Sequence, residues 1–139
     1  MPGWDCPDCG RRFPRRGQGH ECAPAMALDD YLATSPAHEP PVVAAVLDHL
    51  ATVGDDVHIE PVSVGILIKR AQGFAELRPM VRWEALAFRL PRRVESRRIA
   101  RKPEMSGSAW WHVVNLRTAA EFDEPVRDWL TEAYLACPA

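Results

Sequence analysis

The chain has 139 residues and a mass of 15.6 kDa, enough for one ordinary domain or a small domain with an appendage. At 47% hydrophobic and 26% charged it is expected to fold, and a net charge of -2 excludes both a histone-like polycation and an acidic solvating tail. No stretch reaches the roughly 18 apolar residues of a membrane helix, so no membrane partner is expected.

The N-terminal stretch has no apolar core followed by a small-residue cleavage site. Export is therefore not expected, and the cytoplasm is the expected compartment. Thiols stay reduced there, so clustered cysteines read as metal ligands before disulfides. Three of the four cysteines fall within the first 22 residues.

Taken in chain order, residues 1–24 form a Cys/His segment. Two residues separate Cys6 from Cys9, which lets both sulfurs reach one ion, and Gly10 eases the turn behind them. His20 and Cys22 follow, one residue apart, so they lie in an extended segment. Three thiolates and one imidazole make the closed four-coordinate set of one structural Zn2+. This predicts a zinc knuckle or ribbon with Phe13 as its miniature core, folded by its metal. A redox CxxC is the alternative, but no helix-forming context follows it. The loop between the ligand pairs carries Arg11, Arg12, Arg15 and Arg16, which could lie against phosphates or could simply be exposed.

Residues 25–39 read as a connector, with a helical turn around Leu28, Tyr31 and Leu32. An α+β domain is expected over 40–137. Pro40 and Pro41 open an amphipathic helix through Val53. Gly54 ends it, in the expected left-handed conformation. From Val57 the period changes to two. Val62, Val64, Ile66 and Ile68 alternate as one strand, followed by strands over 74–80, 83–90 and 110–116. Pro91 to Gly107 is expected to be basic and irregular. Asp123 caps a last helix with Pro125 in its first turn, whose stripe ends on Cys137, a small apolar core residue. The expected architecture is a four-stranded antiparallel sheet packed by N- and C-terminal helices.

The net charge conceals blocks. Residues 1–22 carry +1, 23–68 carry -7 with no Lys or Arg, 69–117 carry +8, and 118–139 carry -4. The basic block offers Lys69, Arg70, Arg89, Arg92, Arg93, Arg97 and Arg98 as candidate binding residues, beside His112. Opposite blocks could equally pair on the surface, at roughly 0 to 1 kcal/mol per pair. His112 shares a strand face with Trp110 and Val114, which favours a hydrogen-bonded structural histidine. Trp110 and Trp111 point to opposite faces, one toward the core and one toward a partner or solvent. No nucleophile elbow, P-loop, zincin or dinucleotide fingerprint is present, and no acid pair leads to Lys69 as in metal-dependent nucleases.

The strings CPDCGRRFPRRGQGHEC, ILIKRAQGFAELRP, ALAFRLP, HVVNL and FDEPVRDWLTEAY resemble a bacterial domain-of-unknown-function family, numbered 5655, over roughly residues 6–136. The resemblance implies a compact α+β domain, often with an N-terminal zinc segment of this kind. Members also occur beside restriction-type nuclease domains, which points toward a nucleic-acid context. It implies no catalytic residue.

Three functions stand open at this point. The first is a zinc-containing, non-catalytic binding module touching nucleic acid through the basic block and the finger loop. The second is a protein-interaction module. The third is a small-molecule or enzymatic domain with a pocket between sheet and helices, lined by Lys69, Arg89 and His112. The sequence favours binding over catalysis and leaves the oligomeric state open.

Overall fold

The computed structural model describes residues 3–139. A two-stranded ribbon, β1 (Trp4–Asp5) and β2 (Arg12–Phe13), opens the chain. A short helix α1 (Leu28–Ala33) and a longer α2 (Glu39–Val53) follow. The sheet is built from β3 (His58–Val62), β4 (Gly65–Lys69), β5 (Gly73–Pro79), β6 (Glu84–Leu90), β7 (Glu104–Ser106) and β8 (Ala109–Leu116), and α3 (Glu124–Ala136) closes the fold. All pairings are antiparallel, in the order β3-β4-β5-β6-β8-β7.

The α+β class holds, but the sheet has six strands rather than four. The expected single strand through Val62, Val64, Ile66 and Ile68 is a hairpin. Ser63 and Val64 form its turn, pairing Val62 with Gly65, and Val64 is 57% exposed. The two-residue turn inverts the parity: Val62 lies on the face of Glu60, whereas Ile66 and Ile68 lie on the opposite, core face, so apolar residues at every second position imitate one strand while belonging to two faces. The sixth strand, β7, lies inside the stretch expected to be irregular. Its residues are all exposed, so burial leaves no apolar signature there.

The helices cover one face of the sheet. Ile66, Ile68, Leu77, Leu86, Phe88 and Val114 point into a core shared with Val42, Val46 and Leu50 of α2 and Val126 and Leu130 of α3. Removing these side chains from water is the main favourable term of the fold, roughly 1.5–3 kcal/mol for each large one. Gly54 does follow α2, but in extended rather than left-handed backbone (φ -172°). A side chain there would collide with the Tyr134 hydroxyl group. Asp123 likewise precedes α3 without closing a cap; its Oδ2 accepts from Arg98 at 2.7 Å instead.

Register defines the other face. Glu60, Leu67, Glu76, Ala87 and Val113 lie in one cross-strand row, and Arg78, Ala85 and Asn115 in the next. No helix packs on these positions. The ribbon segment docks over the β3–β4 end of this outer face.

Candidate functional site

The N-terminal cluster forms from local geometry. Gly10 takes a left-handed φ of 75°, which lets its amide donate back to the Cys6 carbonyl (2.8 Å), while the Cys6 amide donates to Arg11 (2.9 Å). Cys6 and Cys9 are thereby fixed side by side. The return segment brings His20 and Cys22 to the same point, and the four ligand atoms all lie within 4.8 Å of one another. Cys6 Sγ stands 3.7 Å from Cys22 Sγ, and Cys9 Sγ 3.4 Å from His20 Nε2. Metal–sulfur bonds of about 2.3 Å and a metal–nitrogen bond of about 2.0 Å in a tetrahedron require edges of about this length. His20 Nδ1 donates to the Gln18 carbonyl at 2.7 Å, which leaves Nε2 free to ligate.

Thiol electrostatics fit the same reading. The Cys9 amide draws the Cys6 thiol down to about 7, whereas the hydrogen bond with Cys6 pushes Cys22 up to about 11. Three thiolates so close need a cation between them. Trp4 and Phe13 pack round the imidazole, Phe13 stacked at 4.0 Å and Trp4 edge-on at 6.1 Å. The donors present thus suit a closed, structural tetrahedral ion.

A buried carboxylate holds this segment to the sheet. Glu60, fully buried on β3, accepts from the Arg12 amide (2.7 Å) and Arg11 Nε (2.9 Å). It also faces Lys69 Nζ on β4 (3.0 Å) and His58 Nε2 (3.2 Å). Lys69 in turn donates to the Arg12 carbonyl (2.7 Å) and lies 4.5 Å over the Phe13 ring. Burial pushes the Glu60 carboxyl up, but the Arg12 amide, Arg11 and Lys69 together outweigh it and hold the group below its ordinary range. Burial lowers Lys69 against the pull of Glu60.

Beside the docked segment, the outer face is open. A cleft of about 520 Å3 runs between Arg78 of β5, the small residues Ala85 and Ala87 of β6, and Ala100–Arg101 opposite. Met80 and Trp83 stand at one end. A neighbouring hollow of about 230 Å3 extends it toward Lys102 and Trp111. The Ala100 amide donates to the Val113 carbonyl (2.7 Å), which fixes this wall to β8. Arg117 lies 5.9 Å over the Trp83 ring.

The family described as Domain of unknown function (DUF5655) matches residues 28–136. The chain belongs to that family. Its match begins after the metal cluster and takes in both Glu60 and the open cleft, so the Cys/His segment is an addition docked onto the DUF5655 domain through one of that domain's own acids. A comparison with curated proteins finds no match, and neither does one with solved structures.

The basic candidates divide between several places. Arg11, Arg12 and Lys69 are held by Glu60, with Arg12 also paired to Asp5 (2.8 Å). Arg15 and Arg16 are exposed in the ligand loop. Arg70 is tied to Asp56 (2.8 Å) and to the carbonyls of Tyr134 and Cys137 at the end of α3. Arg92 pairs with Glu132 (2.8 Å) and Arg98 with Asp123 (2.7 Å), both on the helix side. Arg93 lies 5.8 Å over Trp110, Arg97 is exposed, and Arg89 donates to the Ser106 carbonyl (3.3 Å). His112 is fully buried, accepting from the Val94 amide (2.9 Å) and pairing with the Trp110 carbonyl (3.1 Å). It faces the core, while Lys69 and Arg89 occupy the outer face, so these three do not converge on one pocket.

The residues that frame the cleft, Arg78, Arg101, Lys102 and Trp83, were not singled out by sequence reasoning. Register identifies Arg78 alone, because Trp83, Arg101 and Lys102 lie in the connections between strands. Arg78 sits opposite Ala85 across β5–β6, and such a pairing of a long base with a small neighbour is legible once strands are aligned.

Proposed function

We propose that this chain is a zinc-stabilised binding module that holds single-stranded nucleic acid across the outer face of its sheet. The single observation that carries the reading is the cleft in which Arg78, Arg101 and Lys102 flank small residues, with Trp83 and Trp111 at its margins and two acids, Glu104 and the Arg78-paired Glu76 (3.2 Å), also in its lining. Guanidinium and ammonium groups take phosphates, aromatic faces take bases, and alanines leave the backbone approachable, which are the components of a sequence-tolerant single-strand site. Zn2+ fits the three-thiolate, one-imidazole cluster, and its role is structural: it holds the segment whose Arg11 and Arg12 satisfy Glu60.

Fluorescence anisotropy with a labelled 12-nucleotide strand tests this. Affinity falls steeply with salt, and Arg78→Ala and Arg101→Ala each lower the slope of log K against log salt by about 0.7, the single-strand value per phosphate contact. No binding at low salt by the zinc-loaded protein overturns the reading. Capture of a protein partner that survives nuclease and salt points instead to a protein-interaction module.

A further inference from the structure

On the helix-covered side of the sheet, a second pair of acids is buried with no base beside it. Glu39 opens α2 and Glu84 opens β6, and both are fully buried. Glu39 is close enough to Glu84 to act on its carboxyl. The Tyr31 hydroxyl donates to Glu39 Oε2 at 2.8 Å. Among the described residues, no donor reaches Glu39 Oε1 or either oxygen of Glu84. Burial, reinforced by Glu39, pushes the Glu84 carboxyl up to about 9, so Glu84 keeps its proton at neutral pH.

Glu39 also lines a cavity of about 270 Å3. Met26, Pro36 and Pro79 give it apolar walls, and Tyr31, Ser35 and Ser63 give it polar ones. No Lys or Arg reaches it. All but one of its lining residues come from the chain's acidic block, 23–68, which has seven acids and no Lys or Arg. A water molecule's share of liquid volume is about 30 Å3, so the space is far larger than one ion needs. Its mixed walls match a charged head on a short alkyl stem.

We propose that this cavity binds a small organic cation, an alkylguanidinium or alkylammonium group, with Glu39 as its counter-ion. The N–H donors of the cation meet the unmatched Oε1 of Glu39, and the positive charge draws the proton off Glu84 behind it to solvent. The site lies across the sheet from the proposed nucleic-acid cleft and does not depend on it.

Isothermal titration of the full chain with n-butylguanidinium, in two buffers of different ionisation enthalpy, tests the proposal. One cation binds per chain, with release of about one proton as the acid pair ionises. n-Butyltrimethylammonium, which has the charge but no N–H, binds at least about tenfold more weakly, as expected when charge-assisted hydrogen bonds are lost. Glu39→Gln loses about tenfold or more, and Tyr31→Phe, which keeps both carboxyls, weakens binding less. Far-UV circular dichroism verifies that each variant is folded. A Gly-Arg-Gly peptide binding tighter than n-butylguanidinium assigns the cation to a protein side chain, and the reverse order assigns it to a free amine or guanidine. Absence of saturable binding, equal affinity in folded Glu39→Gln, or saturation by Mg2+ without any by n-butylguanidinium overturns the proposal.

Discussion

Two places in this small protein bury carboxylates completely, and they satisfy them in opposite ways. Glu60 sits on the outer face among donors, the Arg12 amide, Arg11 and Lys69, with the His58 ring 3.2 Å away. Glu84 sits on the core side against another acid, Glu39, with Tyr31 the one donor near the pair. The desolvation cost is similar in kind, yet it leaves Glu60 ionised below its ordinary range and Glu84 protonated far above it. A buried charge surrounded by donors acts as a fastener. A buried acid facing another acid keeps its proton instead.

The largest expected effect breaks the fastener. Glu60→Ala leaves Lys69 and Arg11 as buried bases without their anion and removes the acceptor for the Arg12 amide. We expect a loss of about 3–5 kcal/mol, read from the urea midpoint, as for other buried pairs broken on one side. Cys9→Ser comes next. It releases the segment 1–24 and its metal while residues 40–137 keep their far-UV signal. Withdrawal of the Arg11 and Arg12 donors from Glu60 then costs the remaining domain about 2 kcal/mol, the worth of a charge-assisted hydrogen bond. Metal content by atomic absorption and a urea titration check both halves of this expectation.

The acid pair sharpens the contrast through pH. The folded state keeps the Glu84 proton that the unfolded chain has already released. Stability therefore falls as pH rises from the ordinary carboxyl range toward about 9, by up to about 1.4 kcal/mol per pH unit. Glu60 has the opposite sign: its contribution is present at neutral pH and is lost in acid, as pH falls through its lowered value. Glu84→Gln flattens the alkaline slope and leaves the acid limb, which thermal melts across pH 3–10 resolve. The smallest effect is expected at an exposed pair. Arg92→Ala, which loses Glu132 at the surface, changes stability by less than about 1 kcal/mol.

The Cys/His cluster, whose ligand atoms could hold a metal ion, was legible in the sequence because its chemistry is local: Cys6, Cys9, His20 and Cys22 lie within one short segment. Helices were legible from the stripes Val42, Val46, Leu50 and Val126, Leu130, Ala133. Strand number was not, because apolar residues continue at every second position through the turn at Ser63–Val64, although the turn switches their face, and β7 buries nothing. Glu60 and the Glu39–Glu84 pair were not legible either. The docking partners of Glu60, Arg12 and Arg11, lie 48 and 49 positions away, and a single acid within an apolar stretch carries no mark of which distant donor will meet it. The basic block illustrates the converse. It is conspicuous in sequence, yet Arg70, Arg92 and Arg98 are drawn into separate ion pairs with the acidic blocks, and at the cleft Arg78 pairs with Glu76 of its own strand beside Arg101 and Lys102.

The joint at Glu60 is the centre of this account, because it ties the Cys/His segment to the folded sheet. Four thermal melts measure it directly: the natural chain and Glu60→Gln, each with and without a strong chelator. If Glu60 couples the metal segment to the sheet, chelation lowers the melting temperature of the natural chain markedly and that of Glu60→Gln only slightly, since its segment is already undocked. An equal fall in both would show that the segment and the sheet are energetically independent, and would contradict the account.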